Sequence, residues 1–259
     1  MTEEQPRSSA LLIDIGNTRI KWVRMQDKQF QMRGASEHIK RGLPAKLFKE
    51  WQAQPRPSQV VACNVCGQEM TDLLIAWVKE TWDLDVDFIE PRHRAFGVRN
   101  AYTEPAKLGC DRWANLISAW QSHRQPLCVV DCGTAMTIDA IDKDGNHIGG
   151  LIIPGLRMMT SALGTQTRGL SAETLDKPGQ HPNGLLAGDT NAAVQGGVLY
   201  ATIATIDRVF ADICNELGAP CLGLLTGGDA ENVLPLLRAD FHHEPDLIFK
   251  GMALLVKDR

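Results

Sequence analysis

Two related stretches of sequence decide the fold. The first is residues 11–18, Leu-Leu-Ile-Asp-Ile-Gly-Asn-Thr, and the second is residues 128–135, Cys-Val-Val-Asp-Cys-Gly-Thr-Ala. Each combines a short apolar run, one Asp, and a Gly followed by polar residues or Ala. Such a run ending in turn residues is typical of a strand that is buried on both faces of a sheet. The pair predicts two related halves that face each other across a cleft, each with a polar turn where its first strand ends.

The length and composition are those of a globular protein with a sizeable core. At 259 residues the chain is longer than one typical compact domain. We therefore divide it into an N-terminal domain over 10–125 and a C-terminal domain over 126–259. Hydrophobic residues make up 44% and charged residues 22%, which gives no indication of disorder.

Charge and hydropathy narrow the class of partner. The formal net charge is -4 and no long run of Lys or Arg occurs, which argues against nucleic acid or a membrane surface as the partner. Residues 1–9 lack the apolar segment of a signal peptide, and no stretch approaches the ~18 apolar residues of a transmembrane helix. We expect a cytoplasmic protein that binds a small molecule.

The seven cysteines lie mostly in apolar contexts, as at Cys128, Cys132 and Cys214. An odd number in such contexts is typical of reduced, buried thiols in the cytosol. Cys63 and Cys66 have the Cys-x-x-Cys spacing of a redox site or half of a zinc site, but no second such pair completes it. We favour packed thiols over a redox or metal site there.

Hydrophobic periodicity predicts the same start for both halves, a three-stranded meander followed by helices and further strands. In the first half, strands after the opening one are expected at 20–25, 29–33, 59–63 and 86–89. Helices are expected at 43–52, 69–82 and 112–121, with a loop at 95–108. The first seven elements therefore have the order β-β-β-α-β-α-β.

The second half repeats the meander and ends with shorter elements. Its strands are expected at 127–131, 136–141, 147–153, 222–226 and 246–249. Its helices are expected at 156–163, 191–217, 230–237 and 251–256, with a long loop at 165–188. The duplicated pattern resembles the acetate and sugar kinase, Hsp70 and actin superfamily, an α/β fold of two actin-like (ribonuclease H-like) domains with a cleft between them.

In that superfamily, Gly turns let backbone N–H groups approach phosphate oxygens, while an Asp holds Mg2+ and neutralises charge on the transferring group. One Asp-x-Gly turn would be compatible with an ordinary strand-to-turn junction. Two matching copies, each opening a meander, favour phosphate binding.

Four motifs in chain order resemble one family of this superfamily, type III pantothenate kinase. They are Asp14-x-Gly16-Asn17-Thr18-x-x-Lys21, Tyr102 with Gly109-x-Asp111-Arg112, Asp131-Cys132-Gly133-Thr134-Ala135, and Gly149-Gly150-x-Ile152-x-Pro154-Gly155. Asp189-Thr190 and Thr226-Gly227-Gly228 match further positions of the family. The resemblance spans nearly the whole chain. It implies an ATP-dependent kinase that converts pantothenate to 4'-phosphopantothenate, the first step of coenzyme A biosynthesis.

The resemblance also implies a role for each motif. Residues implied to bind ATP are Asp14, Gly16, Asn17, Thr18, Lys21, Gly133 and Thr134. Those implied to bind pantothenate are Tyr102, Gly109, Asp111, Arg112 and Thr190. Asp111 is the implied catalytic base, Asp14 contacts Mg2+ through the phosphates, and Asp131 is associated with a monovalent cation, K+ or NH4+. Because the family is dimeric, a homodimer is implied as well.

Phosphoryl transfer to a primary hydroxyl is consistent with these residue types. In a loose transition state, alignment of the hydroxyl with the γ-phosphorus and neutralisation of charge matter more than a strong base. A carboxylate such as Asp111 can accept the hydroxyl proton late in the reaction. Lys21 would act as a point charge near the phosphates.

Taken singly, these residues are also compatible with structural roles. Asp111 and Arg112 could be an acid favoured by a helix dipole and a surface Arg, while Tyr102 could be a core aromatic. Thr190 could cap a helix, and Lys21 could be a solvated strand residue.

Two other functions stay open. A non-catalytic regulatory protein, such as a transcription accessory factor, could retain the nucleotide cleft, and a kinase of a sugar or polyol would share the phosphate loops. Asp14, Asp111 and Asp131 are all present, which favours catalysis. The pattern from Tyr102 to Arg112 favours pantothenate over a sugar.

Overall fold

A computed structural model describes residues 9–37, 42–166, 186–254 and 256. The chain divides into two compact units. The first unit comprises residues 1–122 and 246–259, and the second unit comprises residues 123–245. The expected C-terminal domain over 126–259 included residues 246–259, which group with the first unit. The described part of the chain contains no helix that is long and apolar enough to cross a membrane.

The first unit is built on a five-stranded sheet with the order β3-β2-β1-β4-β5. Its strands are β1 (Ser9–Ile15), β2 (Arg19–Gln26), β3 (Gln29–Glu37), β4 (Gln59–Asn64) and β5 (Val86–Phe88). The meander of β1, β2 and β3 is antiparallel, whereas β1, β4 and β5 run parallel. This arrangement places β1 at the centre, hydrogen-bonded on both sides.

Three longer helices belong to this unit: α1 (Ala45–Gln52), α2 (Gln68–Trp82) and α3 (Cys110–His123). In α2 the buried residues are Met70, Leu74, Val78 and Trp82, which recur every four residues and so lie on one helix face. They join Leu47 and Trp51 of α1 in a core cluster with the side chains of β1 and β4. This packing explains the apolar periodicity of the two helices.

The region expected to be a loop at 95–108 contains more structure than the sequence indicated. A two-stranded ribbon forms from β6 (Arg94–Ala95) and β7 (Val98–Arg99), and a 3-10 turn covers Pro105–Lys107. The following helix α3 is buried at every position from Arg112 to Trp120. Buried on all sides, it belongs to the interior of the protein.

The second unit repeats the sheet, with the order β10-β9-β8-β11-β12. Its strands are β8 (Leu127–Cys132), β9 (Ala135–Ile141), β10 (His147–Pro154), β11 (Leu222–Thr226) and β12 (Phe241–His243). Its helices are α4 (Leu156–Gln166), α5 (Thr190–Leu217) and α6 (Ala230–Val233), the last followed by a 3-10 turn at Leu234–Leu236. Strand directions match those of the first sheet. The expected duplication of an α/β unit is therefore confirmed.

The elements predicted at the end of the chain are wrong. Residues 246–249 are not a strand: residues 247–249 begin α7 (Leu247–Ala253), and the last strand among the described residues is β12, which lies earlier. A short apolar run such as Leu-Ile-Phe does not distinguish a strand from a buried helix. The expected helix at 230–237 also divides, because Pro235 has no backbone N–H to continue an α-helix. Most of the long loop expected at 165–188, residues 167–185, lies outside the described residues.

The helix α7 packs within the first unit, where it contacts β1 and β4. Arg33 of β3 forms two hydrogen bonds with the carboxylate of Asp246, at 2.9 and 3.1 Å. The rings of Phe30 and Phe249 meet edge to face with centroids 6.5 Å apart. These contacts join the end of the chain to the first sheet.

Candidate active site

The end of β1 forms a tight turn into β2. The N–H of Gly16 donates to the carbonyl of Arg19 at 3.0 Å, and a Cβ on Gly16 would lie only 3.2 Å from the same oxygen. Asp14 and Lys21 are directly opposite each other in the β1–β2 register. The turn between them contains residues 17–18. All five residues of the first motif that were expected to bind ATP therefore lie together at this strand end.

The neighbouring turn between β4 and α2 packs against it. The Cys66 thiol donates to the carbonyl of Gly16 at 2.9 Å, and the Val65 N–H donates to the carbonyl of Ile15 at 3.1 Å. Asn64 holds this second turn, accepting from the Cys66 N–H at 2.8 Å and donating to the Thr71 hydroxyl at 2.8 Å. Asn64 is a supporting residue whose only local signal in the sequence is its position at a strand end.

Cys63 pairs with Cys110, and Cys66 bonds to the backbone. The sulfurs of Cys63 and Cys110 are 2.6 Å apart, and both residues are buried free thiols. Burial, followed by the Cys110 thiol, raises the pKa of Cys63, and the carboxylates of Asp14 and Asp111 act in the same direction. Cys63 is the register partner of Asp14, so its contact with Cys110 connects the paired strands β1 and β4 to the start of α3.

Asp111 lies in the first turn of α3 and is half-buried. One carboxylate oxygen accepts from the backbone N–H of Arg112 at 2.7 Å. The same oxygen lies against Gly109, where a Cβ would overlap it, so the glycine makes room for the carboxylate. An acidic side chain in the first turn interacts favourably with the positive end of the helix dipole.

Arg112 and Tyr102 form a connected pair. Arg112 is 4% exposed, and its Nη1 donates to the Tyr102 hydroxyl oxygen at 2.9 Å. The guanidinium carbon is 5.6 Å from the centroid of the Tyr102 ring. The buried Asn100 accepts from the Tyr102 N–H at 2.9 Å and so fixes the loop that carries the ring. Arg112 is thus not a surface residue, and sequence analysis missed the supporting role of Asn100.

In the second unit, the third and fourth motifs meet. The N–H of Gly155, which follows β10, donates to the carbonyl of Thr134 at 3.0 Å. A Cβ on Gly155 would overlap the carbonyl oxygen of Gly133 and lie 2.5 Å from that of Thr134. The turn after β8 therefore lies so close to position 155 that only a glycine fits there.

The turn after β11 packs on the same strand end. Gly227 has a φ of +98°, and a Cβ there would lie 2.5 Å from a carboxylate oxygen of Asp131. The Asp229 N–H donates to the carbonyl of Cys132 at 3.0 Å. Burial, with smaller effects from Asp131 and Asp229, raises the pKa of Cys132 to about 12, so this thiol stays protonated. The segment Thr226-Gly227-Gly228, which matches a further position of the family, thus lies beside Asp131.

Thr190 is the first residue of α5 and is exposed. The capping side chain is that of Asp189, whose carboxylate accepts from the Ala192 N–H at 2.9 Å. The interpretation of Thr190 as the helix cap is therefore wrong, because the residue before it performs that role.

Comparison with known proteins identifies the family. Residues 10–212 match the model of the type III pantothenate kinase family. A type III pantothenate kinase of Nitrosococcus oceani is 41% identical over 253 residues, covering 96% of this chain and 94% of that protein. The chain belongs to the type III pantothenate kinase family. A second member, from Dichelobacter nodosus, is 34% identical over 243 residues, covering 93% and 95% of the two chains.

Solved structures support the actin-like kinase fold. A candidate 2-dehydro-3-deoxygalactonokinase from Sinorhizobium meliloti has a TM-score of 0.59 at 12% identity, covering 95% of this chain and 97% of its own. A candidate Baf family transcriptional activator from Campylobacter jejuni has a TM-score of 0.54 at 22% identity, covering 95% and 96%. At these identities the likeness concerns the fold alone.

Family membership confirms what the four motifs implied about the reaction. Type III pantothenate kinases are transferases that phosphorylate pantothenate with ATP on the route to coenzyme A, and the acceptor is an alcohol group. The regulatory alternative is not favoured, because the relatives in sequence are kinases and the Campylobacter jejuni protein shares only the fold.

The strand end of β1 fits the divalent metal that a kinase of this family uses with ATP. Mg2+ is usually bound by one or two carboxylates together with phosphate oxygens, and Asp14 offers such a carboxylate. Within the described ranges, no group of three or more His, Cys, Asp or Glu residues could hold a metal ion without further ligands. The donor set therefore fits a metal whose other ligands come from the nucleotide.

The contact between Gly155 and the turn after β8 can be tested by substitution. We expect Gly155→Ala to lower the free energy of unfolding by about 1–3 kcal/mol, because the new Cβ must displace the backbone of residues 133–134. Gly188→Ala is the matched control, since no atom lies within 4 Å of a Cβ there, and its effect should stay within about 0.5 kcal/mol. Urea denaturation measures both, and equal midpoints for the two variants would contradict the contact.

Proposed function

We propose that Asp111 accepts the proton of the primary hydroxyl of pantothenate while the γ-phosphoryl group of ATP is transferred to its oxygen. One observation supports this assignment above the others. Asp111, Arg112 and Tyr102 are joined by hydrogen bonds at the start of α3, and the Cys63–Cys110 contact connects that helix start to β4, where Cys63 is the register partner of Asp14 on β1. A proton acceptor, a substrate-binding pair and an ATP-binding turn are thereby linked within the first unit.

The residues of this cluster have distinct tasks in the proposed reaction. The Arg112 N–H orients the Asp111 carboxylate, so that the acceptor is aligned before the substrate arrives. Because the transition state is loose, the proton moves late and an ordinary carboxylate is sufficient. Tyr102, Gly109, Arg112 and Thr190 bind pantothenate and fix the direction of its hydroxyl.

The strand-end turns of both units bind ATP in this proposal. In the first unit Gly16, Asn17, Thr18 and Lys21 contact the phosphates, with the Lys21 ammonium as a point charge. In the second unit Gly133 and Thr134 contact ATP. Asp14 would hold Mg2+ together with the phosphates, and the ion would neutralise charge on the transferred group.

We assign the monovalent cation, K+ or NH4+, to Asp131. Its carboxylate lies beside Gly227, and carboxylate oxygens are ligands that suit hard cations. The cation would add positive charge beside a half-buried carboxylate at the end of a buried strand.

A turnover assay tests the function. With ATP, Mg2+ and K+, the purified protein should convert pantothenate to 4'-phosphopantothenate and leave hexoses unphosphorylated, as detected by mass spectrometry of the product. Asp111→Asn should lower kcat at least tenfold and leave the fold intact, because the amide oxygen can still accept from the Arg112 N–H. Asp85→Asn is the control, since that side chain is 96% exposed, and it should match the wild type.

Two outcomes would contradict the assignment. Absence of turnover with every monovalent cation tested would remove the pantothenate kinase function. Equal kcat values for Asp111→Asn and the wild type would remove Asp111 as the proton acceptor while leaving the function in place.

We also propose that the protein is a cytoplasmic homodimer that uses the surface of the second unit. Ile152 is 65% exposed and Leu151 47% exposed on β10, and Tyr200 is 59% exposed on α5, close in sequence to Gly196-Gly197. Exposed apolar side chains of this size are typical of an interface between subunits. Sedimentation velocity should give about twice the 28.5 kDa mass of one chain, and a single species at the monomer mass would contradict the proposal.

A further inference from the structure

The ribbon of β6 and β7 places two arginines directly opposite each other. Arg94 pairs with Arg99, and Ala95 pairs with Val98. The two-residue turn between the strands has positive φ values at both Phe96 and Gly97, as in a type I' hairpin. Directly opposed residues have Cβ atoms about 4.5–5.5 Å apart, and like charges at such positions are destabilising. An anion between the two guanidinium groups would remove that cost.

The protein itself provides no such anion in the described part of the chain. There, neither Arg94 nor Arg99 has a carboxylate within ion-pair distance, and both side chains are exposed. Glu104, a nearby acid in the sequence, is paired with Lys107 at 2.8 Å. The pair of arginines is therefore available to an external ligand.

Both arginines line a pocket of about 410 Å³ that also includes Tyr102. Small-molecule sites commonly have volumes of about 300–1,000 Å³, so the size suits a metabolite. The wall is held in place: the Asn100 N–H donates to the carbonyl of His93 at 3.0 Å, and Gln121 of α3 donates to the carbonyl of Phe96. The arginines thus lie on an anchored ribbon.

We propose that Arg94 and Arg99 bind the carboxylate of pantothenate, at the opposite end of the substrate from the hydroxyl that is phosphorylated. The inference rests on the proposed function. Tyr102 is the connection between the two ends, because it lines the arginine pocket and also accepts a hydrogen bond from Arg112, the neighbour of Asp111. Guanidinium groups bind carboxylates through paired, charge-assisted hydrogen bonds. The pair would therefore select the acid over neutral analogues of the same shape.

The test compares pantothenate with pantothenyl alcohol, in which a hydroxymethyl group replaces the carboxylate. Arg94→Gln and Arg99→Gln should each raise the KM for pantothenate at least tenfold. The inhibition constant of the alcohol, the KM for ATP and kcat should each stay within about twofold, because none of them depends on the carboxylate. Arg92→Gln is the matched control, since Arg92 is exposed on the same segment but does not line the pocket, and it should behave as the wild type.

Other outcomes overturn the assignment in distinguishable ways. Equal losses for the acid and the alcohol would give the arginines a structural role, and a raised KM for ATP would assign them to nucleotide phosphates. Unchanged constants would remove the site. In each case pantothenate turnover by the wild type keeps the proposed function, whereas absence of wild-type turnover contradicts that function first. Thermal denaturation of each variant checks that it is folded.

Discussion

Each sheet depends on a central strand that is buried on both faces. β1 lies between β2 and β4, β8 lies between β9 and β11, and the apolar side chains of both strands are buried. A charged side chain inside such a strand would cost a large free energy of desolvation. Asp14 and Asp131 are therefore tolerated only near the carboxyl end, where both are half-buried. The carboxyl end of each central strand lies at the edge of the core, and there a carboxylate can contact a ligand.

The larger elements could be predicted from sequence because burial of one face requires apolar residues to recur at a regular spacing. The buried residues of α2 recur every four positions. In each meander, strands with an alternating residue pattern are separated by turn residues. The short elements could not be predicted in this way. β12 has three residues, two of them His, and α7 begins with an apolar run that fits either a strand or a helix. What places α7 is its packing on β1 and β4, which no local pattern encodes.

For the candidate site too, some features could be predicted from local sequence, whereas others depend on contacts between distant residues. Residues 14–21 form one motif and residues 109–112 another, and each motif is a short continuous segment. Both motifs can therefore be recognised from the sequence alone. The Cys63–Cys110 contact joins residues that are far apart in the chain. The Arg94–Arg99 pair depends on a ribbon whose two strands have only two residues each. The only local sign of that ribbon was a Phe-Gly pair between short strands, a weaker hairpin signal than Asn-Gly.

The central claim is that the turn after β1 and the turn after β8 each bind ATP. Hydrogen exchange of the backbone amides, measured with and without Mg2+ and a non-hydrolysable ATP analogue, tests this most directly. The account predicts slower exchange in peptides covering residues 14–21 and in peptides covering residues 131–135, at the same nucleotide concentration. Protection of only one of the two turns, or of neither, would contradict it.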